Sequence, residues 1–138
     1  MEMKKLTPNF AVQDIGKTVA FYRDILGFKL EMAVPEDKSG FEQELVEKKY
    51  IYAMMSRDGV EVMFQRADSI GEDVPPLKGV PIGASTSFYI EVENINALYQ
   101  EIESKAEVVK EMETAWYGMQ EFYIKDCNGY ILGFAEQK

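Results

Sequence analysis

Residues 10–28 read FAVQDIGKTVAFYRDILGF, from Phe10 to Phe28. It opens on a short apolar run of strand character, Phe10-Ala11-Val12. Asp14 follows where a helix N-cap would stand, its carboxylate placed to accept from the first free amides of a helix. Ile15, Val19, Tyr22 and Leu26 then recur at spacings of four, three and four, which is one face of a helix. Gly27 comes just after the last apolar position, where a left-handed residue ends a helix at little steric cost. Phe28 to Val34 reads as a second strand. The local chemistry therefore predicts strand, helix and strand.

The same unit returns eighty residues later. Phe10, Val12, Asp14 and Ile15 are matched by Ile90, Val92, Asn94 and Ile95, with Asn94 as the expected second N-cap. Ile95, Leu98, Ile102 and Ala106 repeat the apolar stripe, and Val108-Val109 the strand after it. Each half also closes alike. Arg57-Asp58-Gly59-Val60 leads into Val62-Met63-Phe64, and Cys127-Asn128-Gly129-Tyr130 into Leu132-Gly133-Phe134. Asp-Gly and Asn-Gly are strong hairpin signals. Two echoes in the same order imply two βαβββ modules in tandem.

The expected elements are strands at 6–12, 28–34, 50–56 and 60–65, a helix at 15–26, then strands at 86–92, 107–110, 120–124 and 130–135 with a helix at 95–105. Phe41 to Lys49 is open between a helical turn and a ragged lead-in to a strand. Glu111 to Thr114 is expected as a turn. Ala67 to Gly83, rich in proline and glycine, reads as a crossing loop. The expected organisation is one domain over 1–138, with module one at 6–66, the connector at 67–83 and module two at 84–136.

Alternation assigns the sheet faces. Val60, Val62 and Phe64 fall on one side of a strand, with Glu61, Met63 and Gln65 on the other, and Tyr130, Leu132 and Phe134 share a face in the second half. The mixed sets would face a groove, with each helix on the opposite side. The fold class is thus α+β, with two curled and mostly antiparallel sheets around a groove.

A chain of 138 residues is long enough for a sizeable core, and 46% hydrophobic with 28% charged residues fits a soluble globular protein. No apolar run has membrane-spanning length, and Met1-Glu2-Met3-Lys4-Lys5 is not followed by a signal-peptide core. A single cysteine excludes an internal disulfide and suits a cytoplasmic location. Fifteen basic against 24 acidic residues give a net charge of −9, which argues against nucleic acid and anionic membrane and suits cationic partners. There is no histidine.

The paired modules, Val12-Gln13-Asp14 leading to Phe21-Tyr22-Arg23-Asp24 and Leu26-Gly27-Phe28, and the late Gly118-Met119…Phe122…Lys125-Asp126-Cys127-Asn128-Gly129-Tyr130 resemble the vicinal oxygen chelate superfamily. That superfamily includes glyoxalase I, extradiol dioxygenases and bleomycin resistance proteins. Pro8-Asn9 and Trp116-Tyr117-Gly118-Met119-Gln120-Glu121-Phe122 most resemble the bleomycin-resistance branch. Metal-dependent members hold four His or Glu ligands at matching points of the two modules. The resemblance puts Thr7 and Ser87 at the strand-leading ligand positions, and Met63, with Glu61 as an alternative, and Gly133 at the carboxylate positions. These side chains cannot make a tight first-row metal site, which needs imidazole, thiolate or several carboxylates. No metal, cofactor or catalytic residue is therefore assigned.

The candidate ligand-binding residues are Asn9, Phe41, Glu61, Met63, Ser87, Tyr89, Trp116, Met119 and Glu121. Trp116, the single tryptophan, would be a flat wall for a planar or cationic group, or else a core cap or dimer contact. Phe41 and Tyr89 would line the groove or pack in the core. Met63 and Met119 would form an adaptable lining or plain core filling. Glu61 and Glu121 would meet a cationic ligand if they point inward and are charged edges if they face solvent. Cys127, where the family commonly has proline, reads as an exposed turn residue. The expectation is a cytoplasmic, metal-independent small-molecule binding protein that sequesters a planar or cationic ligand. The resemblance implies an antibiotic of the bleomycin kind and a homodimer. The rival expectation is a lyase, isomerase or dioxygenase of the same superfamily.

Overall fold

The first helix begins as its sequence dictates. In the structure, a computed structural model describing residues 1–83 and 85–138, Asp14 is extended and its Oδ1 accepts from the Lys17 amide at 2.9 Å. Helix α1 spans Ile15–Asp24 and buries Ile15, Val19 and Tyr22. It is shorter than expected because Ile25 already acts as C-cap, and Gly27 takes φ 71° to turn the chain into the next strand. The described chain divides into two compact units, 1–80 and 81–138.

In the first unit, β1 (Asn9–Val12), β2 (Lys29–Pro35), β3 (Tyr50–Arg57) and β4 (Val60–Arg66) form a sheet of order β1-β4-β3-β2. β1 runs parallel to β4 and the other pairs are antiparallel. Phe10, Val12, Ala53, Met55, Val62 and Phe64 are buried on the face that receives α1, where Tyr22 lies 4.7 Å from Phe64 between ring centres. Val60, expected with Val62 and Phe64, is exposed at the mouth of the hairpin. β1 starts three residues later than expected, and Leu6 is solvent-exposed. The 41–49 segment is neither helix nor strand. It is pinned by a two-way backbone pairing of Glu42 with Ala33, and by the Tyr50 hydroxyl, which accepts from the Val46 amide and donates to Glu42.

The expected crossing loop is instead helical over Ala67–Asp73 (α2), followed by a short 3-10 turn at Pro75–Leu77. Ile70 anchors α2 by burial, and Pro75-Pro76 cannot prolong it.

The second unit repeats the plan. β5 (Ser87–Glu91), α3 (Ile95–Ile102), β6 (Glu107–Thr114), β7 (Met119–Lys125) and β8 (Ile131–Gln137) give a sheet of order β5-β8-β7-β6, with β5 parallel to β8. Ile95 and Ile102 bury the helix against a face made by Phe122, Ile124, Leu132 and Phe134. Two expectations fail here. Residues 111–114 continue β6 as an edge strand with register shifts rather than turning. Asn94 sits at the N-cap in the left-handed region, φ 59°, so its own side chain does not cap α3. Glu136 does so from β8, accepting from the Asn94 amide at 2.8 Å and the Ile95 amide at 2.9 Å. Those two backbone bonds, Ile95 first, hold the Glu136 carboxyl below its usual range.

The architecture is therefore α+β, with two four-stranded mixed sheets and three helices among the described residues. No helix among them is long and apolar enough to cross a membrane.

Candidate functional site

Sheet register makes the internal repeat concrete. Asn9 pairs with Met63 and Phe10 with Phe64 in the first unit; Tyr89 pairs with Gly133 and Ile90 with Phe134 in the second. Asn9 thus corresponds to Tyr89 and Met63 to Gly133. The offset of eighty between Thr7 and Ser87 is the offset of the strands themselves.

On the first sheet, the face away from α1 carries Asn9, Glu61, Met63 and Gln65 together with Tyr52 and Met54. Gln65 is 8% exposed and organises the polar part of this face. Its Oε1 accepts from Asn9 Nδ2 at 3.0 Å, and its Nε2 donates to Ser69 Oγ at 2.9 Å and Asp73 Oδ2 at 2.7 Å. Asn9 Oδ1 is buried with no partner among the described residues. A cavity of about 430 Å³ opens beside this chain of bonds, bounded by Phe41, Ile51, Tyr52, Gln65, Ser69 and Asp73. Phe41 stands 77% exposed at this cavity and belongs to no core. Burial, then the nearby Glu61, pushes the Tyr52 hydroxyl up from its ordinary value. Glu61 is ion-paired with Lys5 at the sheet's rim, so its charge already has a partner.

On the second sheet, Ser87 and Tyr89 of β5 and Met119, Glu121 and Tyr123 of β7 face away from α3. Glu121 is no charged edge, being 3% exposed. The Tyr89 hydroxyl donates to its Oε2, and the Tyr117 hydroxyl lies 2.7 Å from both carboxylate oxygens. Hydrogen bonding to Glu121, reinforced by burial, raises both phenols: Tyr117 is pushed up to about 12 and Tyr89 goes higher still. Trp116 is 96% exposed, so it caps no core in this chain; its ring stands 5.4 Å from that of Tyr117 at 83°. Half-buried Tyr123 lies flat across Gly133, and Cys127 is exposed in its turn.

Of the residues expected from sequence, Asn9, Glu61 and Met63 share the open face of the first sheet and Phe41 adjoins its cavity. Ser87, Tyr89, Met119 and Glu121 share the open face of the second. Asp73 and Tyr117 were missed, while Gln65, although placed on the groove face by alternation, and Tyr123, an aromatic beside the groove strands for which core packing was the favoured reading, were not among the candidates. Gln65 alternates in phase with Glu61 and Met63, and Tyr117 lies four residues before Glu121, so both had a sequence signal. Asp73 had none without α2.

The sequence profile of the Glyoxalase/Bleomycin resistance protein/Dioxygenase superfamily matches residues 6–134. The chain belongs to this superfamily. It is 26% identical over 129 residues to human mitochondrial methylmalonyl-CoA epimerase, spanning 88% of this chain and 67% of that protein. Among solved structures, a protein of unknown function from Agrobacterium tumefaciens superposes with a TM-score of 0.75 at 21% identity, covering 100% of this chain and 97% of the other. The bleomycin-binding protein of Streptomyces verticillus, solved with copper(II)-bleomycin, superposes at 0.64 with 18% identity, covering 100% and 99%. At these identities the two superpositions speak for the shared fold.

The superfamily's metal positions can then be tested against the donors present. Thr7 and Ser87 offer hydroxyls, Met63 a thioether or its alternative Glu61 a single carboxylate already paired with Lys5, and Gly133 nothing. A Cβ on Gly133 would lie 2.4 Å from Tyr123 Cε2, so the phenol ring occupies the space a ligating side chain would need. No group of three or more His, Cys, Asp or Glu converges as a metal set among the described residues. This donor set does not fit a catalytic first-row metal.

Proposed function

We propose that this member of the superfamily is a metal-independent small-molecule binding protein. The observation that carries the reading is the replacement of the carboxylate position at residue 133 by a glycine roofed by Tyr123. Around it the open face keeps the properties of a ligand surface: aromatic rings, methionine and one buried carboxylate. The first unit adds a cavity with a polar wall at Gln65 and Asp73 and an aromatic edge at Phe41. Sequestration is the mechanism such surfaces support, with a planar or cationic compound held by stacking and charge. The fold shared with a bleomycin-binding protein makes bleomycin-like compounds the first to try. The reading includes a cytoplasmic homodimer, the location drawn from the single cysteine and the dimer from membership of the superfamily.

The test is elemental analysis of purified protein together with titration of chelator-treated protein by metal-free bleomycin, followed through Trp116 fluorescence. Saturable binding near one ligand per chain with no retained metal is the expected result. Stoichiometric, tightly held metal would sink the reading and favour the second one, an isomerase or lyase. That alternative draws on the likeness to an epimerase and on Glu121, a buried carboxylate of the kind that moves protons in such reactions.

A further inference from the structure

The best-formed polar cluster of the second unit has an unbalanced charge. Glu121 is 3% exposed, and both its oxygens are held by phenols, which give hydrogen bonds but no positive charge. Lys110, a cation whose charge reaches Glu121, is itself bonded to Glu113 at 2.9 Å. Glu121 makes no ion pair with Lys or Arg among the described residues. A carboxylate withdrawn from water without a counter-charge is costly, and a bound cation would offset that cost.

The surroundings specify which cation. Trp116 and Tyr117 stand at 83° with ring centres 5.4 Å apart, forming two walls of a corner, and Trp116 is almost wholly solvent-exposed. The Tyr117 and Tyr89 hydroxyls converge on the same Glu121 oxygen, which orients both rings around the acid. Aromatic faces attract alkylated ammonium groups, and the negative charge of Glu121 at the hydroxyl end of Tyr117 adds a long-range pull. A small inorganic cation would want several oxygen ligands, which the corner lacks. We propose that Trp116, Tyr117, Tyr89 and Glu121 form a receptor for a small organic cation bearing an alkylammonium group. The proposal rests on the binding-protein reading above and names the ligand class of the second unit's open face. The net charge of −9 favours such a ligand's approach.

The probes are choline and its uncharged isostere 3,3-dimethylbutan-1-ol, each titrated into the full chain while Trp116, the single tryptophan, is followed by fluorescence. Choline should give a saturable change at concentrations at least about tenfold below the isostere, and added salt should weaken it. Glu121→Gln should bring choline down to the level of the isostere. Tyr117→Phe, which keeps the ring and removes its bond to Glu121, should weaken choline less and serves as the second variant if Glu121→Gln fails to fold. Equal responses to both probes, or none, would overturn the cation site. Protection of Trp116 from acrylamide that grows with protein concentration, without a choline response, would assign the corner to a second copy of the chain and also overturn it. Failure here leaves the metal analysis and the bleomycin titration standing, so the two readings fail separately.

Discussion

The ring of Tyr123 lies where a side chain on residue 133 would be, with Cε2 at 2.4 Å and Cδ2 at 2.9 Å from the position of a Cβ on Gly133. Gly133 has no positive φ to explain it; close approach of the neighbouring strand's ring is the reason for glycine here. Gly133→Ala should therefore destabilise the protein by about 1–3 kcal/mol through overpacking. Urea unfolding measures this, and the cost should shrink in a Tyr123→Ala background. An unchanged cost in that background would show that the ring is not the cause.

The phenols at Glu121 make a spectroscopic prediction. Both Tyr89 and Tyr117 are raised, mainly by donating to Glu121, with Tyr117 at about 12. A phenol whose folded pKa lies above its unfolded value contributes stability that is fully present below about pH 10 and is lost as pH rises through the folded value. Ultraviolet titration at tyrosinate wavelengths should show four residues ionising later than the ordinary class: Tyr50 and Tyr52, raised first by burial, and Tyr89 and Tyr117, raised first by Glu121. In Glu121→Gln only Tyr89 and Tyr117 should move down toward the ordinary class. If the wild-type curve fits one ordinary class of tyrosines, the cluster is not bonded as described.

Glu136 is expected to give an acid limb to stability. Its two bonds from the first amides of α3 hold its carboxyl below the ordinary 4.5. A depressed folded pKa contributes stability above the unfolded value, and that contribution disappears as pH falls through the folded one. Glu136→Gln should lower the melting temperature at neutral pH and flatten its decline between about pH 5 and pH 3. Parallel declines in both proteins would remove Glu136 as the cap of α3.

The difference between what was legible and what was not lies in the range of the interactions. Asp14, the Ile15–Leu26 stripe and Gly27 act within a few residues, so α1 could be read directly, and the same holds for the Asp58-Gly59 and Asn128-Gly129 turns. The eighty-residue repeat carried this into register, because strands of equivalent modules must pair equivalently. Asn94 copied the position of Asp14 but not its role: its φ of 59° turns the side chain away, and the cap comes from Glu136, forty-two residues on. The burial of Glu121 was hidden for the same reason, since it depends on tyrosines from β5 and from the β6–β7 turn. α2 was missed because prolines and glycines beyond it dominated the composition of the segment. The exposure of Trp116 could not be read either, because aromatic residues next to strands are more often core.

Gln65 ties together side chains from β1, β4 and α2, bonding Asn9, Ser69 and Asp73 while itself 8% exposed. Gln65→Met keeps the volume but strips Asn9 Nδ2 and Asp73 of partners, so a loss of about 1–3 kcal/mol is expected in urea unfolding. Asn9 already carries an unpaired buried Oδ1, a cost that Asn9→Val would remove along with the amide that Gln65 satisfies. The double variant Asn9→Val with Gln65→Met should therefore lose clearly less than the sum of the two single losses, because no orphaned amide remains on β1. Strict additivity would mean that the two side chains do not interact and that the polar wall beside the cavity is held by α2 alone.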